Sequence, residues 1–184
     1  MQESREAVPK ILHIVGCKNA GKTRTVEVLL PTLKKLGLVV GTLKYTEHEG
    51  FDWDIPGKDT YRHAQAGSEI TGIFGPRRWA VSSNRSAADG ITVERLISTF
   101  YGNADLVLIE GYKLDAALKV EVLRPGYTDH PVAEQSQLLA TYGQRLYVYA
   151  IPHFEYGAEA DLAQYIHDHL DDLWSVSGVP GTPE

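Results

Sequence analysis

The chain has 184 residues, 43% of them apolar and 23% charged, and a formal net charge of −6. That length buries one substantial core without room for two comfortable domains, and the acidic balance argues against general nucleic-acid or acidic-membrane binding. The single cysteine excludes an intramolecular disulfide and suits a reducing cytoplasm. The polar opening gives no signal peptide and no apolar run reaches membrane-spanning length, so a soluble, cytoplasmic protein is expected.

Residues 11–15 (ILHIV) are a short apolar, β-branched run that reads as a buried strand. Gly16-Cys17-Lys18-Asn19-Ala20-Gly21-Lys22-Thr23 follows and fits the Walker A pattern G-x-x-x-x-G-K-[ST]. Val26, Leu29, Leu30, Leu33 and Leu36 then recur at helical spacing, and Gly37 sits where a C-terminal cap belongs. Strand, glycine loop and helix in that order form the context of a phosphate-binding loop (P-loop). Glycines let the backbone curl around a phosphate, successive N–H groups point inward, and the helix N-terminus adds positive partial charge. Lys22 is then expected to reach the β- and γ-phosphates, and the Thr23 hydroxyl to bind Mg²⁺. The alternative is a glycine-rich turn that binds nothing. Lys18 faces either the nucleotide or solvent, and Cys17 reads as a small filler whose backbone does the binding.

Residues 38–43 form a second apolar strand ending at Lys44, which completes a βαβ unit with a right-handed crossover and parallel strands. Residues 45–57, rich in acids, aromatics and glycine, read as a functional loop. Asp59 can cap a short helix through Ala66, terminated by Gly67. Residues 70–74 and 79–82 look like strands of a hairpin around Gly75-Pro76-Arg77-Arg78, followed by a small, polar loop over residues 83–90. Thr92 can cap a helix to about Tyr101. Residues 105–111 (DLVLIEG) read as a central parallel strand that delivers Glu110 to the sheet's carboxyl edge. A strand over 119–124, a helix over 131–141, a strand over 146–150 and a helix over 159–170 follow, with a disordered tail from 175 to 184. The fold class is α/β: a P-loop NTPase fold with a mostly parallel sheet and a β-hairpin insertion, one domain over residues 1–174.

Glu110 is the expected catalytic partner of the loop, because in such proteins an acid at the end of a neighbouring strand holds Mg²⁺ or its water. A solvated strand-end acid is the plainer alternative. Asp52, Asp54 and Asp59, with Lys58, Arg62 and His63, make the next cluster, just after the second strand. Asp52 or Asp54 could be a second Mg²⁺ ligand while Arg62 and His63 meet an anion; equally, the segment is a solvated loop and a capped helix. Arg77, Arg78 and Arg85 form an anion site or keep the hairpin soluble. Among the histidines only His167 and His169 are close in sequence, and at i, i+2 on a helix they point apart, so no zinc site is expected.

Together these residues resemble the molybdopterin-guanine dinucleotide biosynthesis adaptor protein B family. The loop is similar to that family's G-x-K-N-S-G-K-T. The segment from Asp52 to His63 (DWDIPGKDTYRH), with Ala66-Gly67, resembles its D-x-D-x-P-G-K-D-S-x-R and is the most distinctive part of the match. Gly41-Thr42-Leu43-Lys44, the run from Leu106 to Lys113, and Lys119-Val120-Glu121-Val122 with Arg124 look like its other strands. The resemblance implies a GTP-binding adaptor with weak, Mg²⁺-dependent GTPase activity at most, usually a homodimer, working with the guanylyltransferase that attaches GMP to molybdopterin. Gly16, Lys18, Asn19, Ala20, Gly21, Lys22, Thr23 and Arg24 would then hold the nucleotide, with Asp52, Asp54, Asp59 and Arg62 completing the ligand site. Thr23, Glu110 and Asp54 would hold the metal, and molybdopterin is a further candidate ligand. Ala20 stands where serine is usual and Cys17 where an aromatic residue is common. Residues 125–184 carry no matching motif. No [NT]-K-x-D guanine signature is present, so preference for GTP rests on the resemblance alone. The competing function is a small-molecule kinase with Arg77, Arg78 or Arg85 as its lid.

Overall fold

The computed structural model describes residues 8–48, 50–51, 53–85, 90–113 and 117–175. The chain divides into two compact units, one made of residues up to Thr46 and from Glu94 onward, the other of residues 47–93.

The first unit is built on six parallel strands in the order β2-β5-β1-β6-β7-β8. These are β1 (Lys10–Val15), β2 (Val40–Lys44), β5 (Leu106–Glu110), β6 (Lys119–Leu123), β7 (Leu138–Gly143) and β8 (His153–Phe154). Its helices are α1 (Lys22–Lys35), α3 (Val93–Phe100, all but its first residue in this unit) and α4 (Glu159–Asp168). The β1–β5 register, Leu12 on Leu108 and Ile14 on Glu110, puts the ends of these two central strands level.

Strand alternation splits the core into two rows. Leu12, Ile14, Leu106 and Leu108 join Val26, Leu29 and Leu33 of α1 and Leu162, Ala163 and Ile166 of α4 in one cluster. The intervening Ile11, Val107 and Ile109 are equally buried. On that second row Tyr101, just after α3, lies over β2. Its hydroxyl donates to the Thr42 carbonyl at 2.8 Å, and a Cβ on Gly41 would come within 2.4 Å of its ring. Gly41 is therefore a packing requirement, since any side chain there would displace the ring. Truncating a cluster residue such as Leu108 to Ala is expected to cost about 2–5 kcal/mol.

The second unit holds α2 (Asp59–Gln65) and an antiparallel hairpin, β3 (Ile70–Gly75) with β4 (Arg78–Ser83). The expected hairpin insertion is present, separate from the parallel sheet. Asp59 is the first helical residue rather than the cap; Lys58 occupies the N-cap position.

Two elements differ from expectation. Residues 131–141 do not form a helix: a 3-10 turn (Gln135–Gln137) leads directly into β7. Every residue of β7 is buried, so it shows no alternation, and a short apolar run of this kind has no readable period. Residues 146–150 form no strand, and Val148 is 93% exposed; the sheet gains β8 instead, through Thr141 on His153. Aromatic and β-branched residues favour strands only where a face can be covered. Ser175, placed in the tail from sequence, forms a bridge with Lys10; residues 176–184 lie outside those described. Among the described residues no helix is long and apolar enough to cross a membrane.

Candidate functional site

The loop from Gly16 to Thr23 gets its shape from three backbone positions. Gly16 leaves β1 with φ 149°, and a Cβ there would lie 2.7 Å from the Val122 carbonyl oxygen of β6. Only glycine lets the loop pass this close to the neighbouring strand. Asn19 holds φ 63°, a left-handed conformation that asparagine tolerates better than most residues. Gly21, at φ 104°, is the N-cap of α1. Left-handed residues placed among right-handed ones turn successive N–H groups into one concavity, the arrangement that takes an anion. The N-cap residue of α1 makes no side-chain hydrogen bond and the helix's first turn carries no acid, which suits its positive end to an anion.

Lys22 lies across this loop. Its Nζ donates to the carbonyl oxygens of Gly16 (3.0 Å) and Cys17 (2.9 Å). Burial lowers its pKa below the ordinary 10.5; Glu110 pulls it back up, and Lys113 and Lys44 push it further down. Around this half-buried ammonium one carboxylate is set against two further lysines, an excess of positive charge that suits an anion.

β5 supplies the acid. Four buried aliphatics lead to Glu110, whose side chain is 13% exposed. The Thr23 hydroxyl donates to Glu110 Oε1 at 2.7 Å, and Lys44 Nζ lies 3.5 Å from the same oxygen. Gly111, at φ 89°, turns the chain immediately after the acid while its N–H donates to the Ile14 carbonyl oxygen. Glu110 is thereby fixed level with the point where β1 becomes the loop.

Of the residues singled out from sequence, Gly16, Asn19, Gly21, Lys22, Thr23 and Glu110 come together here. Ala20 is fully buried beneath the loop, as a methyl can be and a hydroxyl less readily. Lys18 is exposed, and Arg24 is exposed and paired with Glu27 at 3.3 Å along α1. Asp54, Asp59, Arg62 and His63 belong to the second unit. There Asp54 Oδ1 accepts from the Ile55 N–H at 2.7 Å and borders a cavity of about 450 Å³ walled by Trp53, Ile73 and Trp79. Arg62 and His63 are exposed on the last turn of α2. Asp52 lies outside the described residues.

Three basic residues at the site have no role assigned from sequence: Lys44, Lys113 and Arg124. The Arg124 guanidinium donates to the Asn19 carbonyl oxygen at 3.2 Å and lies 4.4 Å from the centre of the Tyr127 ring. The signal for two of them was available. Lys44 ends β2 and Arg124 follows β6, and in an open parallel sheet residues at strand carboxyl ends face the ligand crevice.

Residues 11–143 match the family described as Molybdopterin guanine dinucleotide synthesis protein B, MobB. The chain belongs to the MobB family. The match runs from β1 through the end of β7. The chain is similar to the molybdopterin-guanine dinucleotide biosynthesis adapter protein of Escherichia coli, at 30% identity over 122 residues, 66% of this chain and 69% of the relative. It is also similar to the probable adapter protein of that name from Bacillus subtilis, at 32% identity over 115 residues, 61% of this chain and 64% of the relative. The crystal structure of Bacillus subtilis MobB shares its fold, with a TM-score of 0.66 at 24% identity, covering 88% of this chain and 98% of that one.

Proposed function

We propose that this MobB-family chain is an adapter of molybdopterin guanine dinucleotide biosynthesis that binds GTP with Mg²⁺ and hydrolyses it slowly. The observation that carries the nucleotide reading is the join of Lys22, Thr23 and Glu110 at an uncapped helix start. Thr23 Oγ1 and Glu110 Oε1 are 2.7 Å apart, close to the edge of about 2.9 Å that a Mg²⁺ octahedron with 2.0–2.1 Å bonds requires. The residues present therefore fit the ion. Bound Mg²⁺ would supply charge neutralisation to the phosphates. The chain's own part is to hold the phosphates on the loop N–H groups, with Lys22 exchanging its carbonyl partners for phosphate oxygens. Glu110 Oε1 is already engaged by Thr23 and Lys44, which leaves that oxygen poorly placed to orient an attacking water and makes turnover slow.

The partner proposed is the guanylyltransferase that attaches GMP to molybdopterin. Molybdopterin itself is proposed as a second ligand, met by the unit that carries Asp54, Asp59 and Arg62. Adding the protein to the transferase, molybdopterin and MgGTP should raise the yield of guanylated cofactor. Asp59→Asn and Arg62→Ala should blunt that gain and leave GTP binding intact. If the protein alone moves γ-phosphate onto a small acceptor at ordinary enzyme rates, the kinase reading replaces the adapter reading.

A further inference from the structure

Cys17 is buried, yet its thiol opens onto a segment more than a hundred residues away in sequence. Its Sγ lies 3.6 Å from Asp129 Oδ1 and 3.7 Å from the His130 carbonyl oxygen. Asp129 Oδ1 is in turn 2.6 Å from His130 Nδ1. A thiol, a carboxylate and an imidazole thus each offer one donor atom within 4.8 Å of the others. Zinc bonds of about 2.3 Å to sulfur and about 2.0–2.2 Å to oxygen, set at the tetrahedral angle, separate the two donors by about 3.5–3.7 Å. The Cys17–Asp129 pair already stands at that spacing. The shorter Asp129–His130 contact needs only a small turn of the exposed imidazole, whose side chain is 66% accessible.

A second, independent feature lies behind this trio. Glu121 of β6 is fully buried; its Oε1 accepts from the Val132 N–H at 2.8 Å, and its Oε2 has no hydrogen-bond partner. The carboxyl is close enough to His130 for the two to interact electrostatically. A buried carboxylate with one oxygen unanswered favours positive charge on the adjoining surface.

We propose that Cys17, Asp129 and His130 form a site for a thiophilic divalent cation of the Zn²⁺ class, with its fourth position open to water or an incoming ligand. Three protein ligands and an open position describe an exchangeable ion rather than a closed structural site. Because Cys17 is the second residue of the glycine loop and its carbonyl oxygen receives Lys22, the ion ties that loop to residues 129–130. The site binds its ion whether or not the loop takes a nucleotide, so its test stands apart from the GTP reading.

Cys17 is the only cysteine of the sequence, which makes the test specific. The full chain, stripped with chelator and kept under a non-thiol reductant, is titrated with Co²⁺. Expected is a saturable thiolate-to-cobalt charge-transfer band, removed by Zn²⁺ and unaffected by excess Mg²⁺. Cys17→Ser should abolish the band. His130→Ala, at an exposed position that leaves the core untouched, should weaken Co²⁺ binding by at least tenfold, the lower end of what losing even an outer partner of a metal site costs. No band in the unaltered chain, or a band of unchanged affinity in His130→Ala, overturns the proposal.

Discussion

Glu110 answers two donors with one oxygen, the Thr23 hydroxyl at 2.7 Å and the Lys44 ammonium at 3.5 Å. With Lys44 two-thirds exposed, the ion pair is worth little to stability, and its effect is to fix where the charges stand. Glu110→Gln keeps the shape and the oxygen facing Thr23 but removes the charge. Mg²⁺-dependent GTP hydrolysis should therefore fall more than tenfold while Mg²⁺-free nucleotide binding changes by less than threefold. Parallel measurement of turnover and of binding in the presence of chelator checks this; binding lost with hydrolysis intact would mark Glu110 as structural. At this scale the sequence was readable wherever chemistry and position coincided, as in the uniformly apolar run ending at Glu110. Arg124 could be placed at the crevice by its strand end, but its contact with Asn19 depends on β6 lying beside β1, a neighbour relation that no local pattern encodes.

Among the elements, α1 carries an internal defect. Pro31 lies three turns into the helix on its exposed side, where it removes one backbone hydrogen bond and crowds the preceding turn. Pro31→Ala should restore the bond from residue 31 to the Glu27 carbonyl oxygen. The gain is about 1–3 kcal/mol once the larger entropy of the unfolded alanine chain is deducted, read as a higher midpoint in denaturant unfolding. The helix forms despite the proline because Val26, Leu29 and Leu33 are buried on its other face. The same logic explains which elements the sequence revealed. Helices α1, α3 and α4 are amphipathic and their periods show, and β1 and β5 are flanked by turn signals. β7 is buried on both faces and preceded by residues that suit a helix, so its period is hidden. β8 has two residues and exists only because β7 offers an edge.

At the scale of the whole molecule, the second unit leaves much apolar surface in water. Phe74 is 86% exposed, and Ile70, Trp79 and Val81 are more than half exposed. The antiparallel register puts Phe74 opposite Trp79 and Gly72 opposite Val81, which aligns Phe74, Trp79 and Val81 on one face of the hairpin. A contiguous patch of this kind marks an interaction surface, and the two strands of the hairpin form a sheet with no third strand among the described residues. A homodimer joined through this face is the expected assembly. Light scattering at micromolar concentration should give twice the mass of the chain, and Phe74→Asp should return it to the monomer. A monomer mass for the unaltered chain would rule the assembly out.

The claim on which the proposed function stands is that the loop closed by Lys22 receives a nucleoside triphosphate. Calorimetric titration of MgGTP into the unaltered protein and into Lys22→Ala tests it most directly, with ATP as the comparison ligand. Losing a charge-assisted contact to phosphate should cost about 1.5–3 kcal/mol, a loss of tenfold or more in affinity. The unfolding midpoint without nucleotide should stay nearly unchanged, since Lys22 is half-buried and its partners are two loop carbonyl oxygens. Expected is GTP binding in the unaltered chain, preferred over ATP, and its weakening in the variant. Equal affinity for GTP in the two proteins, or no heat of binding in either, would contradict it.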